Sequence, residues 1–240
     1  MTGLRFDIVT LFPQMFSGFL ETSFVAHAID AGAMSLRFRN PRDFGLGRHK
    51  SIDDTPYGGG SGMVMRVDVL VATMESLDAD APDGQRARRV LLTPQGKTID
   101  QQSMQRFAAS PALMLVCGRY EGFDDRVRAY VDEEVSLGDF VMTGGEVAAM
   151  AVMDACVRLL PGVLGNECST VEESYSSESG GLLEYPQFTR PADFRGVRVP
   201  DVLQGGHHAE IAKWRFAQAA ARTQERRPDL WDRFVHGRSK

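Results

Sequence analysis

Two glycine-punctuated turns carry most of the chemistry this chain could do. They are Cys117-Gly118-Arg119-Tyr120-Glu121-Gly122 and Ser136-Leu137-Gly138-Asp139-Phe140-Val141-Met142-Thr143-Gly144-Gly145. Each follows or interrupts an apolar run. Glycine there lets backbone come close to a bound molecule. Neither turn has the spacing of a common nucleotide loop. A phosphate loop would need GxxxxGK[ST]; Gly96-Lys97-Thr98 supplies its end, but Leu91 stands where the first glycine belongs. A dinucleotide fingerprint fails at Gly58-Gly59-Gly60 because Met63 occupies the third position. HExxH and GxSxG do not occur. The turns therefore imply a small-molecule pocket of another kind.

Those turns must be held by regular elements. Phe6–Phe12 alternates and reads as a strand stopped by Pro13. Met15–Ala31 has helical spacing and ends at Gly32. Ser35–Arg39 alternates again, and from Asn40 to Gly62 turn residues dominate, a length that marks a functional or mobile loop. A helix is predicted over Val67–Leu77, a surface loop over Ala79–Gln85, and a short strand over Arg89–Leu92 leading into Thr93-Pro94-Gln95-Gly96. Next come a helix at Asp100–Ala108, a buried strand at Ala112–Val116, a helix at Asp124–Val131 and a strand end at Glu134–Leu137. Glu146–Leu160 is a helix apolar nearly all round, as in deep core or a subunit interface. Alternating strands and helices over roughly residues 1–160 give an α/β domain with a largely parallel sheet. Ligands in such sheets sit at the carboxyl ends of strands, so the turns after the last three strands should converge on one pocket.

The segment Gly165–Gly181 differs. It is rich in Ser, Glu and Gly and reads as a linker, disordered on its own. Pro186–Val202 carries turn residues, and Ala209–Thr223 is a helix with Trp214 and Phe216, making a small basic second domain. The 240-residue chain has a net charge of −5, with 43% hydrophobic and 25% charged residues. Charge is unevenly placed: Gly205–Lys240 holds eight Lys or Arg against four acids. A second basic cluster is Arg37, Arg39, Arg42, Arg48 and Lys50, opposed only by Asp43. Two such clusters in an acidic chain point to a polyanionic partner. The three cysteines, Cys117, Cys156 and Cys168, are odd in number and form no CxxC, which fits a reducing cytosol. Asp7 and Pro13 interrupt the first apolar run, so no signal peptide is read there. The most apolar window, Val147–Leu160, contains Asp154 and Arg158 and is too short to span a bilayer.

At this point a pattern of motifs is complete: Asn40-Pro41-Arg42-Asp43-Phe44, Asp53-Asp54-Thr55-Pro56-Tyr57-Gly58-Gly59-Gly60, Pro94-Gln95-Gly96, Val116–Gly122, Gly138-Asp139 with Gly144-Gly145-Glu146, Pro161-Gly162-Val163-Leu164-Gly165, Tyr185-Pro186 with Thr189-Arg190-Pro191, and His208-Ala209-Glu210-Ile211. With these the chain resembles, nearly end to end, the bacterial TrmD-type tRNA (guanine-N1)-methyltransferases of the SPOUT class. The resemblance implies a parallel sheet containing a deep trefoil knot, a rare exception to unknotted folds, plus a small mainly helical C-terminal domain. It implies a knotted catalytic domain over residues 1–162, a flexible linker over 163–181 carrying the general base, and a tRNA-binding domain over 182–240. S-adenosylmethionine would lie in the knot loops, and activity would depend on magnesium ion at a site the sequence does not assign. The protein would be a cytoplasmic homodimer with active sites built from both chains, acting on tRNA with guanosine at position 37 beside the anticodon.

Carried over residue by residue, the resemblance makes Glu173 the base that takes the guanine N1 proton. The family has aspartate there, so the carboxylate here is one methylene longer, and Glu172 stays open as the alternative. Arg158, otherwise readable as a snorkelling or ion-paired arginine, would face guanine O6, and Asp53 would contact the target base. Leu91, Leu92, Thr93 and Pro94 would wall the adenosine. Gly118, Tyr120, Glu121 and Gly122 would contact its ribose and methionine parts. Leu137, Gly138, Asp139, Phe140, Val141 and Met142 would bind adenine, with Gly144 and Gly145 closing the bend. Leu91 and Phe140 stand where tyrosine is common in the family. Arg37–Lys50 and Lys213–Arg227 are the expected phosphate contacts. Two other readings stay open: a non-catalytic RNA-binding protein with a degenerate methyltransferase fold, and a SPOUT enzyme acting on ribosomal RNA or a ribose hydroxyl.

Overall fold

Period-two burial in the strands sets the architecture. In β6 (Ala112–Cys117) every residue is buried. Leu113, Leu115 and Cys117 pack into one apolar cluster, and Ala112, Met114 and Val116 into another. A strand with two buried faces needs a helical layer on each side. The computed structural model, which describes residues 3–82, 84–165 and 173–237, supplies both layers. Five strands form one parallel sheet in the order β2-β1-β6-β5-β7. They are β1 (Leu4–Val9), β2 (Met34–Arg39), β5 (Arg88–Thr98), β6 and β7 (Glu133–Ser136). Helices α2 (Ser23–Asp30) and α5 (Glu146–Val157) contribute buried residues to the first cluster, as does α4 (Gln101–Ala108). Helix α3 (Val67–Ala79) covers the second cluster with Leu70, Met74 and Leu77. The mixed α/β architecture with a parallel sheet is thus as the sequence indicates.

Three expected elements differ. The helix expected over Met15–Ala31 is broken into a 3-10 turn (Pro13–Phe16), a single turn α1 (Ser17–Leu20) and α2. Thr22 Oγ1 donates to Gly18 O at 2.6 Å and Ser23 adopts φ +57°, so the chain re-aims although its apolar spacing continues. Asp124–Val131 is not an α-helix but a 3-10 run, Asp125–Tyr130, with the Asp124 side chain accepting from Arg126 N. Strand β5 does not end at Leu92. Val135 of β7 pairs with both Leu92 and Lys97, so Thr93–Gly96 loops out and the strand resumes. Proline is tolerated within a strand at such an irregularity.

The Asn40–Gly62 region is more ordered than its turn composition indicates. It holds a 3-10 turn at Pro41–Phe44 and strand β3 (Asp53–Asp54), which pairs antiparallel with β4 (Val64–Met65). Within the basic cluster, Arg37 donates twice to the fully buried Asp7 at 2.7 Å, and Arg39 pairs with Asp80 at 2.5 Å. Arg42, Arg48 and Lys50 are exposed.

The chain divides into two compact units, the second beginning at Asn166. In that unit, α6 (His208–Arg226) and α7 (Pro228–Gly237) pack through Phe216 and Phe234, whose ring centroids are 6.5 Å apart. Helix α7 is an element beyond those the sequence reading predicts. Its opening proline is the signal available for it. A two-residue hairpin, β8 (Asp193–Phe194) with β9 (Val197–Arg198), precedes them. Residues 173–181 form turns in which Ser176 is buried and accepts from Ser179 N. Among the described residues no helix is long and apolar enough to cross a membrane.

Candidate ligand site at the sheet's carboxyl edge

Strands β6 and β7 end at one edge of the sheet, where β5 between them loops out over Thr93–Gly96, and the two following turns and this loop meet there. A cavity of about 250 Å³ lies between them. Its lining includes Leu91, Leu92, Thr93 and Pro94, then Gly118, Tyr120, Glu121 and Gly122, then Leu137, Gly138, Phe140, Val141, Met142, Gly144 and Gly145. Fifteen of the sixteen residues assigned to cofactor binding are therefore brought together; Asp139 is exposed and lies outside the lining. The lining also contains residues the sequence reading missed, among them Gln95, Arg119, Phe123, Asp124, Arg128 and Thr143. Gln95, Arg119 and Thr143 belong to turns that the sequence marks out by their glycines. Asp124 and Arg128 carry no such signal, because their spacing reads as a helix.

The turns are built by close backbone approach. Gly145 N donates to Gly118 O at 3.0 Å, joining the second turn to the first. A Cβ on Gly145 would lie 2.8 Å from Cys117 Cα, and one on Gly118 would lie 2.6 Å from the Phe123 ring. Tyr120 takes φ +59°, a region costly for a side-chain-bearing residue, and Gly122 takes φ +109°. The first turn is also laced to β4: Glu121 N donates to Met63 O at 3.0 Å and Met65 N to Gly122 O at 2.9 Å. Since β4 pairs with β3, Asp53 sits one strand away from the cavity wall, half-buried and opposite Met65. A second hollow of about 930 Å³, lined by Asp54, Pro56, Tyr57 and Arg66 among others, shares Phe123, Asp124 and Asp125 with the first cavity.

Charge at the site is specific. The Arg126 guanidinium beside Asp124, 2.6 Å away, holds that carboxyl below its usual range, so Asp124 is ionised at neutral pH. Burial, reinforced by the Glu146 carboxylate, pushes the Cys117 thiol well above its usual value and leaves it neutral. Burial raises Cys156 to about 12. Arg128 bonds Asp125, Glu134 and Gln95, tying the 3-10 run to the cavity rim. Phe140, Val141 and Met142 are exposed apolar residues on the second turn, Val141 at 85%.

Of the proposed catalytic residues, Arg158 stands half-buried at the C-cap of α5, and Glu173 is half-buried at the start of the described part of the second unit. Neither lines the cavity. Glu172, the alternative base, and Cys168 lie outside the described residues. Among the described residues no group of three or more His, Cys, Asp or Glu is arranged to hold a metal ion.

Comparison with known proteins places this architecture. A sequence model described as "tRNA (Guanine-1)-methyltransferase TrmD" matches residues 4–233. Proteins named tRNA (guanine-N(1)-)-methyltransferase are similar over almost the whole chain. The one from Sorangium cellulosum is 61% identical, covering 95% of this chain and 93% of its own. Those from Gloeobacter violaceus and Geobacillus kaustophilus are 54% and 49% identical, covering 95% and 96% of this chain and 98% and 93% of theirs.

Proposed function

The chain belongs to the TrmD family of tRNA (guanine-1)-methyltransferases, and from that membership we propose that it transfers the methyl group of S-adenosylmethionine to N1 of guanosine 37 in tRNA. The observation that carries this reading is the convergence of three turns on one cavity, with apolar walls and close-packed glycine backbone. Such a lining suits a neutral purine held by main-chain groups. The Glu121 carboxylate on the same wall suits the cationic end of the cofactor. When bound, the cofactor supplies an electrophilic methyl on a sulfonium.

The residues of the chain do the rest. Guanine N1 carries a proton at neutral pH, so a base of the chain must take that proton for N1 to become the nucleophile that would accept the methyl group. Glu173 is that base. Negative charge spreads onto O6, where the Arg158 guanidinium stabilises it. Asp53 holds the base's edge. The cleft contributes alignment of donor and acceptor and exclusion of water, which is chiefly a matter of position. An anticodon loop is single-stranded, so its bases can be splayed out and read.

The reading includes a deep trefoil knot, supported by the looped-out Thr93–Gly96 and by the contact of Gly145 with Gly118, which draw distant segments together. It includes a homodimer, supported by the exposed Phe140, Val141, Met142 and Val147 of the first unit. It divides the chain into a catalytic part (1–162), a linker bearing the base (163–181) and a tRNA-binding part (182–240). That last part has eleven Lys or Arg against seven acids. A cytoplasmic location goes with the substrate. The magnesium requirement is kept without a site, and no step is routed through it.

The test is to supply labelled cofactor, magnesium and two tRNA transcripts, one with guanosine and one with adenosine at position 37. Label on guanine N1 of the first alone is expected. Transfer to neither, with cofactor bound, would favour a non-catalytic RNA-binding protein; transfer to ribosomal RNA instead would favour the related class. Glu173→Gln should lower turnover about 100-fold or more while cofactor affinity holds. If only Glu172→Gln does so, the base is the neighbouring residue.

A further inference from the structure

Glu146 is the first residue of α5 and is 0% exposed, yet it does not line the cavity. A buried carboxylate is costly unless partnered. Thr10, also fully buried, donates its hydroxyl to Glu146 Oε1 at 2.8 Å and accepts from Phe12 N at 3.0 Å. Arg119 Nη2 lies 2.9 Å from Glu146 Oε2. Glu146 Oε2 and Arg119 Nε have no hydrogen-bond partner of good geometry. The pair is therefore a contact of charges more than an aligned bond.

Arg119 reaches further. Its Nη1 donates to Thr143 O at 3.2 Å, and its guanidinium lies over the Phe12 ring with 4.5 Å to the centroid. The side chain also fills the space that a Cβ on Gly144 would take. One guanidinium, rooted in the first turn, thus touches the second turn and the segment after β1. Its charge is fixed from behind by one buried carboxylate.

We propose that Glu146 is a positioning residue for cofactor binding: through Arg119 it holds the 118–122 and 138–145 turns at the separation the cofactor needs. The inference rests on the cofactor reading above. Without the carboxylate, Arg119 keeps a charge beside a buried neutral group and swings toward solvent. The bond to Thr143 is then lost and the second turn relaxes away from the first.

The experiment measures affinity for S-adenosylhomocysteine by calorimetry on the full chain without tRNA, alongside thermal stability and methyl-transfer kinetics. Glu146→Gln keeps shape and the Thr10 bond but removes the charge. It should weaken affinity about 10-fold, while turnover at saturating cofactor and tRNA changes by less than about 3-fold, a KM effect rather than a kcat effect. Arg119→Gln approaches the pair from its solvent side and should weaken affinity comparably, so the test stands even if the first variant does not fold. The double variant should bind no worse than the weaker single one, because the two act as a unit. Unaltered affinity with only a lower Tm would overturn the proposal and leave a structural ion pair. Independent, multiplying losses in the double variant would overturn it too. Failure of the wild-type protein to bind the probe would instead sink the cofactor reading, and this inference with it.

Discussion

Glycine does opposite work in two neighbouring regions of the first unit. At the sheet edge, Gly118 and Gly145 are needed because no side chain fits: backbone or a packed ring already occupies the Cβ position. In the loop between β3 and β4, Gly58 and Gly59 have nothing within 4 Å of a built Cβ, but φ values of +85° and +81°. There the need is conformational, and the loop tip is open, with Tyr57 98% exposed. The first region is a preformed cradle. The second is a shaped but uncovered loop, and a large, adaptable substrate is the partner such a surface suits.

That contrast can be broken by substitution. Gly145→Ala should have the largest effect: its new methyl must displace the Cys117–Gly118 backbone, at a cost of roughly 1–3 kcal/mol in stability, and S-adenosylhomocysteine binding should vanish in calorimetry. Gly118→Ala should be milder, since the Phe123 ring can rotate aside; about a 10-fold weaker affinity is expected for a cost near 1.4 kcal/mol. Gly58→Ala should cost about 1–2 kcal/mol of backbone strain and raise KM for tRNA, while affinity for the small probe stays unchanged. If Gly58→Ala weakened the small probe as much as Gly118→Ala, the two regions would not be distinct.

Smaller effects test the frame beneath the cradle. Cys117 and Cys156, both buried with raised pKa values, should resist alkylation at pH 8 and react only on unfolding, as mapped by mass spectrometry. The guanidinium of Arg106, helped by Arg88, holds the Glu133 carboxyl of β7 below its usual range despite partial burial. A carboxyl depressed in the folded state stabilises above its unfolded pKa, and that contribution is lost as pH falls through the folded value. Tm should therefore drop below about pH 4, near the unfolded glutamate pKa, and Glu133→Gln should flatten that drop by a few degrees.

Much of the site was legible in the sequence because it is made of local turns. Gly118–Gly122 and Gly138–Gly145 announce themselves by composition, and buried strands before them place them at the sheet edge. What stayed hidden depends on partners distant in the chain. The strand beyond Pro94 is a strand only because Lys97 and Thr98 pair with Val135 and Ser136. Glu146 reads from sequence as an ordinary acid in a helix's first turn; only the fold brings Thr10 and Arg119 to it. Arg37 looked like a phosphate contact, and the structure commits it to Asp7. The 3-10 run at Asp125–Tyr130 shares its hydrophobic spacing with a short helix, so periodicity could not separate them.

The most direct measurement is amide hydrogen exchange of the full chain with and without S-adenosylhomocysteine. The account predicts new protection confined to residues 91–96, 118–122 and 137–145, with the 54–62 loop unchanged until tRNA is added. Protection centred instead on the hollow lined by Asp54, Tyr57 and Arg66, with the three turns unaffected, would contradict it.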